Sequence, residues 1–414
     1  MSKQSGNRRN FMKYAAGAAV SGTMMLSCAE PANKTKLQSS IKHPVFDTVD
    51  VLVVGGGPAG SSCAWKLRQH GMAVTVLDKA LFPRNKVCAG WITPAVVQAL
   101  QLDTEAYARE RVLQPITAFR TGLIHGGDVE TRYPGTVSFG IRRCEFDDYL
   151  LQRSGARLRL GETLKSLEKR GSQWLVNDAI TTPLIIGAGG HFCPVARFLG
   201  AKLGATELAV AAKEIEFEMD PEQVAGCQIR ADTPELYFCR DLKGYGWCFR
   251  KGDYLNIGLG REDHQGLSEQ LKDFCDYLRQ RGRIPRNVPD KFHGHAYLLY
   301  GHSGRKLLDD GVLLIGDAAG LAYPESGEGI RPAVESGLIA ATAVAEARDD
   351  YRRQRLQVYA NRLRARFGPE AVPAGDMIPG FLRNILAGAL LSSRWFTRRV
   401  VLDRWFLHAH LPGL

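Results

Sequence analysis

The chain has 414 residues, 45% of them hydrophobic and 23% charged, a globular balance with material for more than one ordinary domain. No run reaches the roughly 18 apolar residues of a spanning helix, and no repeat of about 20 to 50 residues marks a solenoid or propeller. Polytopic membrane proteins and repeat arrays are thereby excluded. The formal charge of +11 is uneven: residues 1–28 carry Lys3, Arg8, Arg9 and Lys13 and no acid, and residues 346–414 hold twelve Arg against six acids. Such a basic tail is a solvated face or meets an anionic membrane surface. With no RNA- or DNA-binding signature beside it, nucleic acid is not expected as a partner.

In chain order, the first feature is an address. Arg8-Arg9 followed by Phe11-Met12-Lys13 and the mild apolar run Tyr14–Leu26 resembles a twin-arginine export signal, here residues 1–29. That resemblance implies export of an already folded protein to the periplasm or an extracytoplasmic membrane face. Cys28 follows Met25-Leu26-Ser27, similar to a lipoprotein cleavage box with its leucine one place late, so lipidation at Cys28 and plain cleavage both stand. Residues 30–46, with Pro31, Asn33, Gln38, Ser39 and Ser40, read as a flexible linker.

Thr48 to Val54 is a β-branched run, expected as one buried strand. It leads into Gly55-Gly56-Gly57-Pro58-Ala59-Gly60, a helical stretch to about Gly71, and a second strand Ala73–Leu77. Gly55, Gly57 and Gly60 have the spacing of a dinucleotide turn: the first for the turn, the second for backbone approach to a diphosphate, the third for helix–strand packing. Diphosphate oxygens would accept from N–H groups at the helix start. Asp78 ends the second strand where a carboxylate would bind ribose, and Lys79 beside it joins the candidate set. The motif alone does not separate FAD from NAD.

Two later segments favour FAD. Arg143-Cys144-Glu145-Phe146-Asp147-Asp148-Tyr149-Leu150 resembles an element of FAD enzymes built like the aromatic hydroxylases. Val312–Gly320, with Gly316-Asp317 closing a strand, resembles their second FAD fingerprint, which implies that Asp317 binds the ribityl chain.

Three further segments resemble the geranylgeranyl reductase family. They are Lys86-Val87-Cys88-Ala89-Gly90-Trp91, Tyr245-Gly246-Trp247-Cys248-Phe249, and Pro324-Glu325-Ser326-Gly327-Glu328-Gly329-Ile330. The resemblance spans about 48–345. It implies that the strand bearing Tyr245, Trp247 and Phe249 lines an apolar substrate tunnel, that Cys88, Gly327 and Gly329 lie beside the flavin, and that a reduced flavin delivers hydride to an alkene whose other carbon is protonated. Independently, the three aromatic residues alternate with period two and so share one face of a strand. Arg250 stands where the family has Pro, Ala89 replaces a Gly, and Gly187-Ala188-Gly189-Gly190 stands where hydroxylases carry an acid.

The expected fold is α/β: a Rossmann-like FAD-binding domain (47–110, 141–204, 305–345) interleaved with a mixed β-sheet substrate domain (111–140, 205–304). Basic amphipathic helices follow over 346–414, capping a domain or lying in a membrane interface. Nine cysteines show no zinc spacing, and no metal is expected. The expected function is an FAD-dependent oxidoreductase acting on an isoprenoid-like or other apolar small molecule. Its alternatives are a flavin monooxygenase on the same fold and a membrane-tethered electron-relay flavoprotein. Export and a single complete dinucleotide fingerprint point to a quinol or protein as electron donor.

Overall fold

A computed structural model describes residues 46–202, 207, 209–263, 266–302, 304–368 and 389–414. The export signal, Cys28 and the linker up to residue 45 lie outside the described residues. A six-stranded sheet has the order Leu308–Asp309, Val312–Leu314, Leu184–Gly187, Val51–Val54, Val74–Asp78, Arg157–Leu160, parallel except at its first pair. Val51–Val54 is buried throughout, as a strand covered on both faces must be. The run Thr48–Val54 is not one strand. Asp47–Thr48 pairs with Ile180–Thr181 in a separate four-stranded sheet, and the chain steps across at Asp50, whose carboxylate accepts the N–H of Ala73 (2.6 Å). A charged residue in a β-branched run marks the break, because its carboxylate takes a backbone partner instead of a place in the core.

The helix Pro58–Gln69 packs against Ile330–Ala347, and Gly337 permits the approach: a Cβ there would lie 2.5 Å from the Ala59 carbonyl oxygen. The second helix begins at Ile330, directly after the segment Pro324–Gly329.

A seven-stranded mixed sheet has the order His293–Leu298, Ala209–Glu218, Tyr254–Arg261, Gly244–Lys251, Glu235–Phe238, Ala118–Leu123, Asp128–Arg132. Its two faces differ in kind. On one lies the helix Leu267–Gln280, which buries Leu267, Leu271, Phe274 and Leu278 at helical spacing. Gly246 faces that helix, since a Cβ would meet the Phe274 ring at 2.6 Å. On the other face Tyr245, Trp247 and Phe249 join an aromatic cluster. A small sheet of Trp91–Ile92, Ser138–Ile141 and Leu113–Ile116 brings Trp91 into the same cluster.

The C-terminal residues that the structure describes are helical, as expected, beginning with the α-helix Arg353–Phe367. Arg394–Phe396 continues into a π-helix, Thr397–Phe406. Its buried residues Thr397, Val401, Leu402 and Phe406 recur at four or five positions, a spacing that i→i+5 turns bring to one side better than α turns do. Among the described residues no helix is long and apolar enough to cross a membrane.

Candidate active site

The glycine turn is built for an anion. Gly55 has φ +116°, and a Cβ on it would stand 2.4 Å from the Ala188 carbonyl oxygen; a Cβ on Gly60 would stand 1.9 Å from that of Gly55. These two glycines close the turn against backbone. Gly57 differs, because the nearest atom to a Cβ would be Arg84 Nη2 at 3.5 Å. It is the N-cap of Pro58–Gln69 and gives the helix no side-chain cap, so the first N–H groups are left for a ligand. Asp78 takes the N–H of Gly56 on Oδ2 (2.7 Å) and of Ala80 on Oδ1 (2.8 Å), which fixes the loop and leaves further lone pairs for ribose hydroxyls. Lys79 is exposed. An uncapped helix start, an open glycine and a fixed carboxylate fit the diphosphate and ribose of a dinucleotide.

Across the helix start, Gly316 (φ +59°) lies where a Cβ would meet that of Ala59 at 2.8 Å, and its N–H donates to Ser336 Oγ (3.0 Å). Gly316 and Asp317 lie in a 3₁₀ turn just past the strand that ends at Leu314. Asp317 Oδ2 is 3.9 Å from His295 Nε2, and Lys86 Nζ contacts the same nitrogen. Burial works to raise Asp317, but His295, Lys86 and Arg143 outweigh it and hold the carboxyl low. Burial brings Lys86 down to about 8 against the pull of Asp317, and also lowers His295. A Cβ on Gly329 would lie 3.3 Å from Asp317 Oδ1.

Arg143 is anchored by Asp147. Its guanidinium is bidentate to Asp147 (2.8 and 2.9 Å), with Arg84 Nη2 3.3 Å from the same carboxylate. Burial opposes its charge, and Asp147 and the facing Cys88 outweigh burial. The Cys88 N–H donates to Glu214 Oε2 (2.7 Å) and its carbonyl accepts from Asn256 Nδ2 (3.1 Å). Asn256 Oδ1 also accepts from Trp247 Nε1 (2.7 Å), coupling the aromatic strand to the Cys88 loop.

The glycine-rich loop meets the aromatic face directly. Tyr245 Oη donates to the Ser326 carbonyl (2.6 Å). Gly327 (φ +67°) leaves room for Tyr297, whose hydroxyl would be 2.3 Å from a Cβ. Between the glycines, Glu328 Oε1 accepts the N–H of Arg331 (2.7 Å), while Oε2 is buried without a hydrogen-bond partner among the described residues. Burial pushes this carboxyl up to about 7, against Arg331. Trp247 is 5% exposed and Phe249 1%; Phe249 stacks beneath Trp91 at 5.2 Å and belongs to the cluster's interior rather than to an opening. Arg250, at the family's Pro position, donates to the carbonyl of Gly252 (2.8 Å).

The candidate residues therefore gather at two places. Gly55, Gly57, Gly60, Asp78 and Gly316 surround the helix start; Cys88, Arg143, Asp317, Gly327, Gly329, Tyr245 and Trp247 surround the loop. Lys86, Glu214, Asn256, His295 and Glu328 complete the second group and were not singled out from sequence. Lys86 opens the K-x-C segment and Glu328 lies inside the G-E-G triplet, so both had a signal. His295 had none. The eight cysteines among the described residues are unbridged, and no group of three His, Cys, Asp or Glu there could hold a metal ion.

Residues 48–372 match the FAD binding domain family. The chain is 30% identical over 325 residues to the menaquinone reductase of Mycobacterium tuberculosis, covering 72% of this chain and 76% of that one. It is likewise 30% identical over 320 residues to the geranylgeranyl diphosphate reductase of Rhodobacter capsulatus (71% and 74%). The fold is that of a geranylgeranyl bacteriochlorophyll reductase-like protein of Thermoplasma acidophilum (TM-score 0.67, 22% identity, 84% and 88% covered). Fold, glycine cradle and relatives together define an FAD-dependent oxidoreductase. The chain belongs to the geranylgeranyl reductase family within that class.

Proposed function

We propose that this protein reduces carbon–carbon double bonds of an isoprenoid-like substrate, an isoprenoid quinone being the first compound to test. The observation that carries this reading is the Tyr245–Ser326 bond, which joins an aromatic face suited to an apolar chain to the loop beside Asp317 and Cys88. Names of two relatives, menaquinone reductase and geranylgeranyl diphosphate reductase, support the substrate class.

FAD supplies two-electron hydride chemistry when bound. In this reading Gly55, Gly57, Gly60 and Asp78 hold its diphosphate and ribose, and Gly316, Asp317 and Arg143 complete the cofactor set. Gly327 and Gly329 keep side chains away from the reacting region. Tyr245 and Trp247 orient the apolar chain and exclude water, and Cys88 lies at the reacting side. The second carbon of the alkene needs a proton, and Glu328 Oε2, neutral below about pH 7, is a group that can give one.

Export by the twin-arginine route, a membrane surface as working place, and a quinol or protein as electron donor are parts of the same proposal, motivated by Arg8-Arg9 and by the single complete dinucleotide fingerprint. The test is anaerobic: the reduced flavoprotein is mixed with menaquinone and its absorbance followed. Reoxidation with saturation of a prenyl double bond supports the reading. Reoxidation only on admitting oxygen, with an oxygen atom in the product, supports the monooxygenase. Reoxidation only by a protein partner supports the relay.

A further inference from the structure

The C-terminal segment covers the aromatic face. Val401, Leu402, Phe406 and Leu407 are buried in the cluster that holds Trp91, Trp247 and Phe249. The Phe406 ring lies 5.2 Å from Tyr245, 5.6 Å from Trp91 and 6.3 Å from Phe238. An apolar chain lying along Tyr245 has to displace or skirt this ring. Past the π-helix, the tail is latched through its carbonyls. Arg331 donates to those of His408 (3.3 Å), Leu411 (3.2 Å) and Pro412 (2.8 Å), and Arg366 to that of Pro412 (2.9 Å). Both arginines pair with Glu335.

The outer side of the same segment has the opposite character. Trp395 is 68% exposed and Leu390 43%, and Arg394, Arg398, Arg399 and Arg404 are exposed. Asp403 is the one acid over 389–414, and it is half-buried, accepting from Tyr133 Oη (2.7 Å). Arginines flanking an exposed Trp and Leu match an anionic bilayer, whose headgroups take the charge and whose interfacial zone takes the indole.

We infer that residues 394–407 form a lid over the aromatic face, and that docking of its basic outer side on an anionic membrane lifts it. The segment is then both the membrane contact and the gate through which a lipid-soluble substrate enters. This rests on the proposed apolar substrate for its purpose, but its test uses no substrate.

The full chain is mixed with phosphatidylglycerol vesicles and, separately, phosphatidylcholine vesicles, and read by flotation and by amide hydrogen exchange. The lid predicts flotation on the anionic vesicles only, with exchange over 397–407 at least about tenfold faster there, equivalent to about 1.4 kcal/mol. Every sample carries Cys28→Ser, so that no lipid there takes the protein to both vesicles alike and the difference between them reads the arginine face. The double variant R398E/R399E is expected to abolish that difference, and W395A to weaken it should the double variant fail to fold. Equal behaviour on the two vesicles overturns the docking surface. Flotation with unchanged exchange over 397–407 overturns the lid. A lid that opens on a protein unable to reduce alkenes leaves this inference standing and removes the substrate reading.

Discussion

The hydroxyl of Tyr245 donates to the carbonyl of Ser326 at 2.6 Å, and this bond ties together two segments 81 residues apart. One is a strand whose aromatic side chains lie on a single face; the other is the loop that opens the helix Ile330–Ala347. In the proposed function, apolar recognition and redox chemistry meet at that bond.

Gly57 and Gly60 should separate binding from folding. Gly60→Ala places a Cβ 1.9 Å from a carbonyl oxygen and is expected to unfold the turn, lowering the melting temperature and leaving colourless protein. Gly57 has φ −73°, and a Cβ there would meet Arg84 Nη2 at an ordinary contact distance of 3.5 Å, so Gly57→Ala should fold normally yet bind FAD at least about tenfold more weakly. Titration of the apoprotein with FAD, beside thermal melts, checks both; normal FAD affinity in Gly57→Ala would contradict the cradle.

In the proposed reaction Glu328 is expected to set a pH dependence. With its carboxyl pushed up to about 7 by burial, the proton-bearing form prevails below that pH, and turnover should fall as pH rises through it. Glu328→Gln keeps an acceptor for the Arg331 N–H but has no acidic proton. Its rate should drop by about 10² to 10⁴ and lose the pH step, while flavin content stays normal. An unchanged pH profile in Glu328→Gln would remove this residue from proton transfer.

Stability should carry a second signature, from Glu214. Burial raises its carboxyl to about 8, with Lys251 pulling the other way, from a free value of 4.5. Between those values the folded chain keeps a proton that the unfolded chain has released. Stability is therefore fully supported below about pH 4.5 and is lost progressively as pH rises to about 8, by at most a few kcal/mol. Glu214→Gln, which can still accept from the Cys88 N–H, should flatten that slope. Melting temperatures at pH 5 and pH 8.5 test it: the wild type should lose a few degrees more than the variant.

The electron donor is open to a direct comparison. Anaerobic mixing of the oxidised flavoprotein with NADPH should leave the flavin band in place, and a menaquinol analogue or a protein donor should bleach it. Rapid bleaching by NADPH would sink the export-linked donor.

Much of the cofactor end was legible in sequence because local backbone demands dictate it. Gly55 must take φ +116° and Gly60 must touch a carbonyl, and no other residue type does either. The shared face of Tyr245, Trp247 and Phe249 followed from strand period alone. What escaped depends on contacts remote in sequence. Lys86 meets His295 across 209 residues, and nothing local to His295 announces it. The division at Asp50 is hidden because residues 48–54 form one β-branched run, and the π-helical form of the tail because apolar positions four and five apart suit an α- or a π-helix. Phe249 shares the aromatic face of the strand but is roofed by Trp91, a neighbour that period two cannot reveal.

Alkene reduction at this site can be read from product mass in heavy water. The flavoprotein, reduced anaerobically with dithionite in D₂O, is given menaquinone, and the recovered lipid is analysed by mass spectrometry with fragmentation of its prenyl chain. Saturation of a prenyl double bond is expected, one equivalent per reduced flavin, with deuterium at both former alkene carbons, because the transferable hydrogen of flavin reduced in D₂O also comes from the solvent. Recovery of the prenyl chain unchanged while the flavin stays reduced would contradict it.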